Sequence, residues 1–163
     1  NPHALLNRHS YSWALFCNDR VADALAHEET LQRMYPLDDV SPAHVGIFAA
    51  YLGRYREALA AIEAAIHICA GRPAVRAGAA YVFARAGEAE RALQLAEDAT
   101  AAILPRAPRP MLAAAYAELG DVERALALLS EARDEGCVWF GPARLDPRLA
   151  SLKSDDRFLA LFS

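Results

Sequence analysis

Apolar residues recur three and four positions apart through most of the chain. Ala58, Leu59, Ile62, Ala65, Ile66 and Cys69 make one such stripe, with the polar Arg56, Glu57 and Glu63 off it. This spacing puts side chains on one face of an α-helix. Leu93, Leu95 and Ala96 continue a second stripe, and Leu126, Leu128 and Leu129 belong to a third. Upstream, Val21, Leu25, Glu28 and Leu31 stand one turn apart, while Glu28-Glu29 and Asp155-Asp156 read as solvated charge pairs near helix ends. Strand-forming residues concentrate nowhere, and the expected fold is all-α.

The stripes are copies of one another. "LGRYREALAAIEAAI" (Leu52 to Ile66), "AGEAERALQLAEDAT" (Ala86 to Thr100) and "LGDVERALALLSEAR" (Leu119 to Arg133) align on Gly53, Gly87 and Gly120, at intervals of 34 and 33 residues. Five residues after each glycine stands Ala58, Ala92 or Ala125, and twelve after it Ala65, Ala99 or Ala132. Each glycine is expected to end one helix and turn the chain into the next, where a positive φ costs little only for Gly. The alanines are expected to face the preceding helix, where a larger side chain would push the pair apart. Pro73, Pro108 and Pro110 sit near helix starts, where the missing N–H is harmless. Thirty-four residues before Gly53 and Ala58 stand Asp19 and Ala24, the trace of a degenerate first copy.

A period near 34, a helix–turn–helix unit and Gly-x-x-x-x-Ala followed by a second Ala resemble the tetratricopeptide repeat over residues 40–135. The resemblance implies a right-handed α-solenoid of antiparallel helix pairs in three to four units. The expected divisions are 1–38 for the degenerate first unit, 39–72, 73–105 and 106–136 for the next three, and 137–163 for a C-terminal cap. The cap is broken by Gly141-Pro142 and Asp146-Pro147. Asp146 or its neighbour is expected to cap a turn reaching Leu152, and Ser154 or Asp155 a final helix carrying Phe158, Leu161 and Phe162. Trp139, Phe140 and Leu145 are expected to cover the open end of the last helix pair. "LDPRLASLKSDDRF" is similar to the closing segment of repeat tails in bacterial winged-helix regulators, protein kinases and class III nucleotide cyclases. That similarity implies the sensory or docking part of a larger regulator. The chain starts at Asn1 without an initiating Met, which reads as a fragment of a longer protein.

Composition narrows the function classes. The net charge is −4 and neither half of the chain is basic, which argues against direct nucleic-acid binding. No apolar run reaches the ~20 residues of a membrane span. Cys17, Cys69 and Cys137 are an odd, widely spaced set, expected to be reduced thiols in a cytoplasm. The five histidines include no pair at metal-ligand helical spacing, and His67 and Cys69 point to different sides of a helix. No nucleophile elbow or phosphate-cradling glycine loop occurs. The reading is therefore non-catalytic, with no cofactor and no metal.

Binding is expected on the inner face, lined by the first helix of each unit. Superposing the units on their glycines directs His9, Trp13 and Phe16 inward from the first, and His44, Ile47 and Tyr51 from the second. Tyr81 and Arg85 come from the third, and Glu118 from the fourth. Aromatic surface with one cation suits an extended or helical peptide, or a partner domain, carrying an apolar anchor and an acidic group. The family's carboxylate-clamping subset relies on Lys and Asn at such positions, where this chain has Ala, Ile and Tyr. Two rival readings are kept. In one, Trp139, Phe140, Phe158 and Phe162 pack on a second copy of the chain. In the other, the groove closes into a small-molecule pocket lined by Tyr51, Tyr81 and Arg85.

Overall fold

In the computed structural model the chain is all-helical, and it describes residues 2–36, 38, 40–69, 71–102 and 109–163. Eight helices come in consecutive pairs: α1 (Pro2–Cys17) with α2 (Val21–Met34), α3 (Ser41–Tyr51) with α4 (Tyr55–Cys69), α5 (Pro73–Arg85) with α6 (Ala89–Ala101), and α7 (Arg109–Glu118) with α8 (Val122–Asp134). A short helix α9 (Phe140–Ala143), a 3-10 turn (Pro147–Leu152) and α10 (Asp156–Leu161) follow. Each pair packs on the next, and α3, α5 and α7 form a continuous row, a solenoid-like array with no strand among the described residues. Among the described residues no helix is long and apolar enough to cross a membrane.

The sequence pattern explains why the two members of a pair differ. In α4, α6 and α8 burial follows the stripe: Ala58, Ile62 and Ala65; Ala92, Ala96 and Ala99; Ala125, Leu126, Leu128, Leu129 and Ala132. Each of these helices has its stripe against the array and its charged side in water. Helices α3, α5 and α7 are buried nearly all round, with every residue from Ser41 to Ala50 of α3 buried. Such a helix has a partner on one side and a neighbouring unit on each flank, so one-sided amphipathicity disappears.

The small residues set the helix spacing. Ala58, Ala92 and Ala125 are all 0 % exposed. Gly53, Gly87 and Gly120 hold φ of +76°, +86° and +80°, the left-handed turn geometry. Asp19, at the equivalent place in the first pair, also holds a positive φ, at +63°, though it is not a glycine. Gly46 on α3 carries no signal in the repeat spacing. A Cβ there would lie 3.2 Å from the Ala58 carbonyl oxygen and 3.2 Å from Ile62 Cβ, so α3 and α4 meet backbone to backbone. Replacing Ala92 by Leu is expected to cost about 1–3 kcal/mol through overpacking. A denaturant midpoint equal to that of the native chain would show that position to have room.

Pro73 opens α5 and Pro110 stands in the first turn of α7. Pro108, and the divisions expected at 38/39 and 105/106, fall on or beside residues outside the described set. The tail departs from expectation only in part. Asp146 caps the 3-10 turn by accepting from the Arg148 N–H, and Asp155 caps α10 by accepting from Arg157 N–H. Phe140 stacks on Phe162 with centroids 4.6 Å apart, and Phe158 is buried. Trp139 and Leu145, however, do not seal the end of the last pair. They remain 41 % and 58 % exposed, because the 3-10 turn packs on α7 and takes this segment along the inner face.

Candidate functional site

The inner face is built by α1, α3, α5 and α7, but it is not an open groove. The segment from Trp139 to Arg148 lies along it and, with the helices, borders a half-open cavity of about 730 Å³. Helix α1 contributes His9, Trp13, Ala14 and Cys17, which its 3.6-residue period puts on one side. The first turns of α3, α5 and α7 add Ala43, His44, Val75 and Met111, and the returning segment adds Trp139, Pro142, Leu145, Asp146 and Arg148. Most of this wall is apolar. Burial pushes the Cys17 thiol up to about 11, with the Asp146 charge adding to the effect, so it is an unreactive part of the wall.

Arg148 holds the segment in place. Its Nε donates to Asp146 Oδ1 at 3.0 Å and its Nη2 to Asp146 Oδ2 at 2.6 Å. The guanidinium lies 4.7 Å from the Trp13 ring centroid and 5.4 Å from that of Tyr81. One side chain of the tail therefore joins α1 to α5 through cation–π contacts. Both partners of the ion pair are buried, Arg148 with 2 % and Asp146 with 7 % side-chain exposure.

Behind the other wall is a buried polar cluster. Glu28 of α2, 0 % exposed, lies with Oε1 3.0 Å from His9 Nδ1 and 3.0 Å from His44 Nδ1. Asp38 Oδ2 stands 3.3 Å from His9 Nε2. Burial alone would raise the Glu28 pKa, but hydrogen bonds from His44 and His9, and the charge of His9, hold the carboxyl down to about 2. Burial would lower the pKa of His9. The hydrogen bond and charge of Glu28, with Asp38 behind them, reverse this and raise it.

Three potential ligand atoms, one each from His9, Glu28 and His44, fall within 4.8 Å of one another. The surrounding hydrogen bonds do not suit a metal. Trp13 Nε1 donates to His44 Nε2 at 3.0 Å. An indole N–H can only donate, so His44 carries its proton on Nδ1 and directs it at Glu28. A metal on Nδ1 would require that proton on Nε2, where the indole N–H already points. The cluster is thus a closed proton network joining α1, α2 and α3.

The residues expected to line the groove separate into three groups. His9, Trp13 and His44 do line the cavity. Phe16 and Ile47 are 0 % exposed inside the packing, and Tyr81 lies under Arg148 at 1 %. Their row is apolar enough to be used by neighbouring units and the tail, which leaves no surface for a partner. Tyr51 is half-buried edge-on against Phe16. Arg85 pairs with Glu118 at 3.3 Å, so the expected free cation and the expected acid neutralise each other. The cavity therefore exists with a different lining from the one anticipated, since none of Tyr51, Tyr81 and Arg85 borders it. Of the four tail aromatics assigned to a second copy, Phe140, Phe158 and Phe162 pack on one another within the chain.

Glu28, Asp38, Asp146 and Arg148 were not among the expected binding residues; Glu28, read as half of a solvated charge pair, is 0 % exposed, and Asp146 was expected only as a cap. For Glu28 a signal existed, a carboxylate inside the apolar row of α2. For Asp146 and Arg148 none did, since a capping Asp followed by Pro and Arg looks like any surface turn. No protein-family model matches the chain, and no curated protein matches it.

Proposed function

We propose that this chain is a non-catalytic, tetratricopeptide-like ligand-binding module whose inner cavity takes a compact, mainly apolar small molecule. The module would serve as the sensory part of a larger bacterial regulator. The cavity itself carries the reading: its volume lies within the roughly 300–1,000 Å³ of small-molecule sites, and its few polar groups converge from three elements. A peptide lying along the inner face would first have to displace the segment anchored by Arg148. This favours the pocket over the extended groove suggested by the repeat pattern.

A neutral apolar dye tests it. N-phenyl-1-naphthylamine is expected to gain fluorescence on titration with the chain. Ala14 lines the cavity yet is exposed on α1, so Ala14→Trp fills the space without entering the packed core. That variant is expected to abolish the gain while leaving the thermal melt in place. Absence of dye uptake, or uptake indifferent to Ala14→Trp, would remove the proposal.

A further inference from the structure

The inner wall of the cavity contains polar side chains, but they bond to one another. His44 accepts from the Trp13 N–H on Nε2 and donates from Nδ1 to Glu28. The Asp146 carboxylate accepts from Arg148 Nε, Nη2 and backbone N–H. Arg148 Nη1 and His9 Nε2 are sealed inside the packing, away from the open space, and His9 Nε2 stands 3.3 Å from Asp38. Cys17 presents a neutral thiol, a weak donor.

Helix starts are the other common source of donors, since the first N–H groups of a helix have no partner within it. The starts of α3, α5 and α7 all border the cavity, and each carries a proline: Pro42, Pro73 and Pro110. A proline has no N–H to offer. The Ser41 N–H donates to Asp38, those of Ala43 and His44 to the Val40 carbonyl, and that of Val75 to the Arg72 carbonyl. What the inner wall presents is hydrocarbon and ring surface, from Trp13, Ala43, Val75, Pro110 and Met111. Polar groups in contact with water belong to the exposed members of the lining, among them Asn18, Arg72 and Trp139.

A hydroxyl or carbonyl set against the inner wall gives up its water and meets no partner. The same group at the half-open mouth keeps its hydration. We infer that the cavity selects single-ended molecules, with an apolar body inside and one polar group at the mouth, and rejects molecules that are polar at both ends. This rests on the ligand-binding reading above and specifies the chemistry of the same site.

The test is displacement of the naphthylamine dye from the native chain by rigid naphthalenes. 2-Naphthol, 2-naphthoate and 2-naphthylmethylammonium carry one polar group. 2,6-Dihydroxynaphthalene and 6-hydroxy-2-naphthoate carry a second at the opposite end. The three single-ended compounds are expected to bind within about threefold of one another, because the head stays in water and surface charge pairing is weak. The added 6-hydroxyl is expected to weaken binding about tenfold or more in both pairs. A 6-hydroxyl that leaves affinity unchanged or raises it would reveal a partner on the inner wall and overturn the inference. A preference of about tenfold or more for one of the three heads would place that head against the wall and overturn it too. So would a bound dye that none of the naphthalenes displaces. Each of these results leaves the ligand-binding reading intact, whereas absence of dye uptake would defeat the two together.

Discussion

Glu28→Ala is expected to destabilise the chain by about 3–5 kcal/mol, the usual effect of removing one member of a buried charged pair. The carboxylate is 0 % exposed and serves two histidines from two other helices. Without it, His9 keeps only the more distant Asp38, and the Nδ1–H of His44 points at nothing. Glu28→Gln should do little better. Its single carbonyl oxygen can accept from one histidine, but its NH₂ then meets the N–H of the other, donor against donor. For a chain of this length the melting temperature should fall by roughly 10 °C. A variant melting within about 1 °C of the native chain would show the cluster to be structurally idle.

The pH dependence carries a second signature of the same group, and its sign follows from the two shifts. The Glu28 pKa is lowered to about 2 from 4.5, so its stabilisation is present above 4.5 and is lost as the pH falls toward 2. That of His9 is raised above 6.5, so its contribution is complete below 6.5 and fades as the pH climbs through the raised value. Stability from this cluster is therefore greatest between about 4.5 and 6.5. Melting curves across pH 3 to 9 should show that maximum in the native chain and a flattened profile in Glu28→Ala.

Arg148→Ala is expected to release the tail from the inner face. The substitution strands the Asp146 carboxylate in a buried position, at about 3–5 kcal/mol, and removes cation–π contacts worth about 0.5–2 kcal/mol. Trp13 and Tyr81 lose their cover, while the helix pairs keep their own packing. The expected outcome is local: faster amide hydrogen exchange and proteolytic cleavage over 139–153, with α3 to α6 still protected. Adding Asp146→Ala should restore part of the stability, because the stranded charge goes with it. Unchanged exchange over 139–153 in Arg148→Ala would mean that Leu149 and Leu152, both buried, hold the segment without the arginine.

The architecture was legible in the chain because it depends on short-range regularities. A glycine that must turn left-handed and an alanine that must admit a neighbouring helix are requirements of each unit taken alone, so they recur wherever the unit does. Gly53, Gly87 and Gly120, and the alanines five residues after them, hold the geometry their spacing implied. Even the first copy could be traced, since Asp19 tolerates the same left-handed turn and Ala24 is 0 % exposed.

The site was not legible in this way, because its parts are far apart in sequence and are joined only by the curvature of the array and the path of the tail. His9, Glu28 and His44 come from three helices, and no local spacing relates them. Arg148 belongs to a turn that, read by itself, has no reason to reach a tryptophan 135 positions upstream. Helical periodicity identifies which side of a helix is apolar, but not whether solvent, a neighbouring unit or the chain's own tail will cover it. Phe16, Ile47 and Tyr81 were assigned to the inner side and were then enclosed by it. The repeat, its turns and its helix pairs follow from local sterics and the hydrophobic period; the cavity and the buried charge clusters follow from where distant segments meet.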